Sequence, residues 1–242
     1  MKKRGRRILT SLATVLALAM LLGGALLFTL KRTPGFYELA SIPEGDARQQ
    51  LSVDCRKNAN DLMSMFGSSD AVWDAAFTTT QINSYFQEDF EVLGGEKNLP
   101  EGFSDPRISL DDGSLRFACR YGKGFWSSVV SVELKIWLVA NEMNTVGIEI
   151  VSLKCGAVAV SPRWMLEPLR EISLKWSADL AWYRREGNPV AILRLQSNQM
   201  RPTFQIKRLD IQKDQLVVVG HSQGPSSRIA PSVVSSLPNQ RN

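Results

Sequence analysis

The chain has 242 residues, and its 29 Lys and Arg exceed its 24 Asp and Glu by five. Seven of the basic residues and none of the acidic ones lie within residues 1–32, so residues 33–242 carry a net charge of −2. A nucleic-acid-binding domain needs a basic face, and this charge balance gives no sign of one. Three cysteines are too few for a disulfide scaffold.

An uncharged apolar run extends over residues 8–30. As a helix it is about 34 Å long, enough to cross a hydrocarbon core about 30 Å thick. Five basic residues precede the run and two follow it, which predicts a cytoplasmic N-terminus and a domain outside the cytoplasm. A cleaved signal peptide is the alternative, but its apolar region would be shorter and a small-x-small site would follow. The sequence therefore predicts an uncleaved, single-pass membrane anchor within residues 1–32.

Two helices are predicted before the main β-region. Residues 33–45 contain Pro and Gly and predict a juxtamembrane linker. Apolar residues at spacings of three and four then predict a helix from Asp46 to Phe66. The run Thr78-Thr79-Thr80 predicts the start of a second helix over residues 81–90, because a threonine hydroxyl can accept a hydrogen bond from a free N–H of the first turn.

Alternating apolar and polar residues predict strands from residue 107 onward, with Asp112-Gly113 as a hairpin turn. A long strand is predicted over residues 125–140, and its return strand changes phase at Val151, which indicates a bulge. A helical period then runs over residues 162–183, with the main helix over 168–183. Three further strands are predicted over residues 190–195, 203–211 and 215–221, followed by a disordered tail over 223–242.

This order of elements predicts an α+β domain over residues 46–222, with a mainly antiparallel sheet packed on one long helix and two further helices before it. Consecutive strands joined by short turns favour antiparallel over parallel pairing.

The motif most suggestive of catalysis is Gly-His-Ser-Gln-Gly at residues 220–224, which matches the G-x-S-x-G nucleophile elbow. That mechanism needs a helix, an acid and a histidine later in the chain. Only 18 residues follow Gly224, they contain no His, Asp or Glu, and His221 is the only histidine. Together with the three cysteines, His221 also lacks the paired spacing of a zinc site. No enzyme activity, catalytic residue, metal or cofactor is predicted, and Ser222 is not expected to be a nucleophile.

Several segments resemble the YpmS-like proteins, which are small bacterial proteins with one N-terminal anchor and an external α+β domain. The segments are the anchor, residues 78–83 (Thr-Thr-Thr-Gln-Ile-Asn), residues 156–162 (Gly-Ala-Val-Ala-Val-Ser-Pro) and the final strand over 215–220. The resemblance implies a curved antiparallel sheet that cradles a helix, similar in shape to tubular lipid-binding folds. It implies no known enzymatic activity.

Two functional hypotheses follow. The first is a membrane-tethered domain of the bacterial envelope that binds a lipid or another apolar ligand, with membrane lipids as partners. The second is a structural or protein-interaction component of the envelope with a closed core. A cavity between the long helix and the sheet would favour the first hypothesis. The predicted groove is lined by two facing apolar rows: Val130, Val132, Leu134, Ile136 and Leu138 on the strand, and Leu169, Ile172, Trp176 and Leu180 on the helix.

Overall fold

The computed structural model describes residues 2–66, 68, 71–163, 170, 179–195 and 203–222. The α-helices with described bounds are α1 (Lys2–Lys31), α2 (Gly35–Leu39), α3 (Asp46–Phe66) and α4 (Thr79–Glu88). The strands are β1 (Val72–Thr78), β2 (Phe103–Asp111), β3 (Ser114–Tyr121), β4 (Ser128–Leu138), β5 (Thr145–Cys155), β6 (Val158–Ala159), β7 (Asp179–Arg185), β8 (Asn188–Arg194), β9 (Phe204–Gln212) and β10 (Gln215–Ser222). The predicted α+β class is confirmed.

Helix α1 is exposed over residues 14–28, which are almost all apolar. Its apolar window has a mean hydropathy of 1.9, and none of that window is buried in the rest of the protein. Val15, Leu21 and Phe28 are 64%, 72% and 76% exposed. The predicted N-terminal apolar helix is therefore confirmed, and it is long and apolar enough to span a membrane.

The two predicted helices of the next segment are also confirmed. Helix α3 has the predicted bounds, and α4 begins with a capping box. The Thr78 hydroxyl accepts a hydrogen bond from the Gln81 N–H at 3.2 Å, and the Thr78 N–H donates to Gln81 Oε1 at 2.9 Å. These two bonds satisfy N–H groups that a helix start leaves without intrahelical partners.

The strands form two antiparallel sheets. The larger has the order β2-β3-β4-β5-β8-β7, with β6 beside β5, and the smaller has the order β1-β10-β9. The predicted hairpin joins β2 to β3, and Gly113 adopts a φ of 73° there. The predicted bulge is present as well, because Leu134 pairs with Ile150 while Glu133 pairs with Ser152, which leaves Val151 as the extra residue.

The predicted long helix is wrong at its C-terminal end. Residues 179–185 form β7, in which Leu180 pairs with Leu193 of β8. Glu186 and Gly187 connect these strands with φ values of 53° and 90°, the left-handed geometry that suits a two-residue hairpin turn. Hairpin pairing therefore overrides the helical spacing of Leu180 and Tyr183. Leu169, Ile172 and Trp176 lie outside the described residues, as does the predicted tail.

The long strand also begins later than predicted. Phe125 belongs to a 3-10 turn, Gly124–Trp126, and β4 starts at Ser128. The three-residue turn inserts two large aromatic residues into the connection between β3 and β4.

The core lies on one face of the larger sheet. Ile108 and Leu110 of β2 form a buried cluster with Ile211 of β9, and Ile82 and Phe86 of α4 pack against it. A second cluster contains Val132, Ile150 and Leu153, and Trp182 from β7 packs against it. Trp182 pairs with Ala191 of β8, which pairs in turn with Ile148 of β5, so its ring contacts this cluster across one intervening strand.

Candidate functional site

The predicted apolar row on β4 is packed into the core. Val132 is 5% exposed and belongs to the second cluster, against which Val130 and Leu134 pack. Ile136 packs against the first cluster, and Leu138 is half-buried at the end of the strand. Leu180 lies on β7 rather than on a helix. The remaining helix residues lie outside the described part of the chain, so the predicted groove stays a prediction.

A cleft of about 1010 Å³ lies on the opposite, polar face of the larger sheet. One wall is residues 32–38, which follow α1 directly and include α2. The other wall comes from strands β2 to β5 and from Gly156 and Ala157. Three basic and three acidic side chains line the cleft: Arg32, Arg116, Lys154, Glu38, Asp111 and Glu133.

Strand register explains why these polar side chains share one face. Glu133 of β4 pairs with Arg116 of β3 on one side and with Ser152 of β5 on the other. Two residues before Glu133, Ser131 pairs with Lys154. Directly opposed residues of antiparallel strands point to the same face, and so do residues two apart on one strand. The polar residues that alternate with the apolar row therefore form the floor of the cleft.

Tyr37 of α2 packs against this polar face and forms hydrogen bonds with it. It is 2% exposed and packs with Ala118 and Val129. Its hydroxyl donates to Asp105, lying 2.7 Å from Oδ2 and 2.9 Å from the carbonyl oxygen. Arg107 Nη1 donates to the Tyr37 carbonyl oxygen at 2.9 Å, and the Arg107 guanidinium lies 4.4 Å from the centre of the Tyr37 ring. The segment after α1 is therefore held against the sheet by a buried side chain.

The environment of Tyr37 keeps its hydroxyl protonated. The pKa of Tyr37 is raised well above the ordinary tyrosine value. Burial is the largest cause, and the hydrogen bond to Asp105 is the second. Asp105 has a φ of 51° where the β2–β3 register shifts between Ser104 and Arg107. Aspartate tolerates this left-handed conformation better than most residues, and the irregularity aims its carboxylate at Tyr37.

Two of the basic side chains in the cleft have no ionic partner within the described part of the chain. Arg116 forms an ion pair with Asp111, and its guanidinium lies 5.0 Å from the centre of the Phe36 ring. Arg32 and Lys154 are exposed and form no such pair there. Ser152 donates a 3.3 Å hydrogen bond to Glu133. Free cationic groups beside carboxylates suit a polar ligand that carries both charges.

The cleft opens beside the C-terminal end of α1. The Ala157 N–H donates to the Thr29 carbonyl oxygen at 2.9 Å, and the Ser128 hydroxyl donates to the Leu30 carbonyl oxygen at 2.9 Å. These bonds satisfy carbonyl groups that a helix end leaves without intrahelical partners. Gly156 has a φ of 60°, and a Cβ there would overlap the Leu30 carbonyl group. The glycine therefore permits α1 to lie directly against the sheet.

Ser222 of the G-x-S-x-G motif is buried and hydrogen-bonded to neighbouring elements of the fold. It is fully buried, its hydroxyl accepts a 3.1 Å hydrogen bond from Trp73 Nε1, and it donates to the Met65 carbonyl oxygen. Both interactions join the last strand to β1 and α3. The absence of a nucleophilic role stays a prediction.

Cys119 and Cys155 both pair with Val130, one from each side, so they lie two strands apart. Both are free, and burial raises the pKa of Cys119 to about 12. Among the described residues, no three His, Cys, Asp or Glu side chains are grouped so that they could hold a metal ion.

No family model, curated protein or solved structure matches the chain. The resemblance to YpmS-like proteins therefore stays a prediction.

The cleft residues were missed at the level of the sequence. The available signal was the polar alternation of Ser131, Glu133 and Lys135, which marks a second face of β4 but does not show what covers it.

Proposed function

We propose that α1 anchors the chain in a membrane, with the N-terminus in the cytoplasm and the α+β domain outside, and that the cleft binds the headgroup of a membrane phospholipid. The observation that supports this most is the position of the cleft, because residues 32–38 form its wall and directly follow α1. A ligand in the cleft would therefore lie at the membrane surface. Its volume is at the upper end of the range typical of small-molecule sites.

The charges of the cleft favour a headgroup over an acyl chain. Arg32 and Lys154 are available for a phosphate, and Glu38 and Glu133 for an amine. The formal charges of the lining balance, which matches a zwitterionic headgroup such as phosphoethanolamine better than one with only negative charge. This proposal places the lipid on the polar face, because the apolar row expected to hold an acyl chain packs into the core.

The test uses the full chain purified in detergent, with retained lipids extracted and identified by mass spectrometry. Phosphatidylethanolamine should be retained in preference to phosphatidylglycerol. The variant Lys154→Gln removes one charged hydrogen bond, worth about 1.5–3 kcal/mol, and should weaken binding roughly tenfold or more. Lys135→Gln is the matched control, because Lys135 is an exposed lysine on the same face of the neighbouring strand but does not line the cleft.

Equal retention by both variants and the wild type would exclude the cleft as the binding site. If no phospholipid is retained at all, the second hypothesis, a structural or protein-interaction component of the envelope, is favoured instead.

A further inference from the structure

The connection between β3 and β4 exposes two large aromatic side chains. Phe125 is 70% and Trp126 is 73% exposed. Their rings contact each other edge to face, with centroids 5.4 Å apart, in the 3-10 turn Gly124–Trp126. A single exposed apolar side chain is common. An adjacent exposed Phe and Trp on a loop tip, however, form a local apolar surface of the kind that contacts a membrane or another protein.

This aromatic pair lies against the last turn of α1. Lys31 Nζ lies 3.3 Å from the centre of the Phe125 ring and also donates to the Phe125 carbonyl oxygen. Ser128, two residues after Trp126, donates to the carbonyl oxygen of Leu30. The loop is therefore fixed beside the residue at which the long apolar helix ends.

We propose that Phe125 and Trp126 insert into the interfacial layer of the lipid bilayer and form a second membrane contact beside α1. This inference rests on the proposed membrane anchoring, but not on headgroup binding in the cleft. Trp side chains concentrate at membrane–water interfaces, where the ring enters the apolar layer and the indole N–H stays hydrated. Lys31 suits the interfacial depth, because its methylenes can lie beside the bilayer while its ammonium group is held by the Phe125 ring and carbonyl oxygen.

The contact has a consequence for the orientation of the domain. A single helix lets the attached domain tilt relative to the membrane, whereas a second contact beside the helix end restricts that tilt. Gly156 and Ala157 line the cleft and also adjoin the end of α1. The aromatic pair would therefore keep the cleft close to the layer of lipid headgroups.

The test is tryptophan quenching in the full chain, reconstituted into phosphatidylcholine vesicles whose lipids carry bromine on the acyl chain close to the headgroup. We expect these lipids to quench wild-type fluorescence and Trp126→Phe to lose a clear share of that quenching. Trp182→Phe, which removes a core tryptophan, should keep it. Phe125→Ser keeps Trp126 as the probe and should reduce its quenching by withdrawing the loop.

Identical quenching in the wild type and in Trp126→Phe would overturn the loop contact. An alkaline carbonate wash of the same vesicles separates this outcome from a failure of anchoring. Protein that stays in the membrane while Trp126 is not quenched refutes the loop contact alone. Protein released by the wash refutes both the anchoring and the contact.

Discussion

At the scale of single residues, Tyr37 holds the segment after α1 against the larger sheet. Replacing it with Phe keeps the ring but removes the hydroxyl that donates to Asp105. Loss of this hydrogen bond should lower the free energy of unfolding by about 1–2 kcal/mol, because the partly buried Asp105 loses a donor. Denaturant unfolding of the full chain in detergent, followed by circular dichroism, measures the difference.

The same residue gives a dependence on pH. The pKa of Tyr37 is raised in the folded state, so the folded chain keeps a proton that the unfolded chain releases near pH 10. The preference of the folded state for the protonated Tyr37 hydroxyl stabilises the protein fully below about pH 10. This stabilisation is lost as the pH rises above that value. Wild-type stability should therefore fall more steeply above pH 10 than that of Tyr37→Phe. Parallel curves for the two proteins would contradict the raised pKa.

Residues of the site could be predicted only in part from the sequence. The alternation on β4 predicts which residues share one face. Val130, Val132, Leu134 and Ile136 do share it, but they pack into the core, whereas they were expected to line a groove. The role of Tyr37 has no local signal, because its partner Asp105 lies 68 residues away in the chain. Lys154 likewise joins the cleft only through its pairing with Ser131.

At the scale of elements, the docking of the α1 end on the sheet depends on Gly156. The variant Gly156→Ala should displace the helix end, because the added Cβ overlaps the Leu30 carbonyl group and Thr29 O lies within 2.6 Å of its position. Trypsin should then cleave after Lys31 or Arg32 faster than in the wild type. Limited proteolysis of the reconstituted chain measures this rate.

The matched control is Gly187→Ala. Gly187 also has a positive φ, but no atom lies within 4 Å of the position that an added Cβ would take, so this variant carries the backbone strain without the overlap. Equal cleavage rates in the two variants would show that Gly156 does not hold the helix end.

Elements with strong local signals were predicted well, whereas β7, whose structure is decided by pairing, was predicted as a helix. The period of α3 and the threonine cap of α4 are local, and both are confirmed. The segment over residues 179–185 has helical spacing at Leu180 and Tyr183, yet it forms β7 because β8 pairs with it along its length. Strand pairing depends on partners outside the segment, so its own periodicity could not decide between helix and strand.

At the scale of the whole molecule, the proposed topology places the α+β domain outside the cytoplasm. Five basic residues precede the apolar run and two follow it, which favours this orientation. Alkaline phosphatase fused after Asn242 should therefore be active in bacterial cells. Changing the five N-terminal basic residues to Gln should shift part of the population to the opposite orientation. An inactive fusion that is present at full length would contradict the topology.

The central claim is that a phospholipid headgroup occupies the cleft beside the end of α1. The most direct measurement is photocrosslinking of the reconstituted full chain with a phosphatidylethanolamine that carries a diazirine on its headgroup, followed by peptide mapping. We expect crosslinks on residues 131–133 and 152–157, suppressed by unlabelled phosphatidylethanolamine and reduced in Lys154→Gln. Crosslinks that avoid these residues, or that persist unchanged in the presence of competitor, would contradict the account.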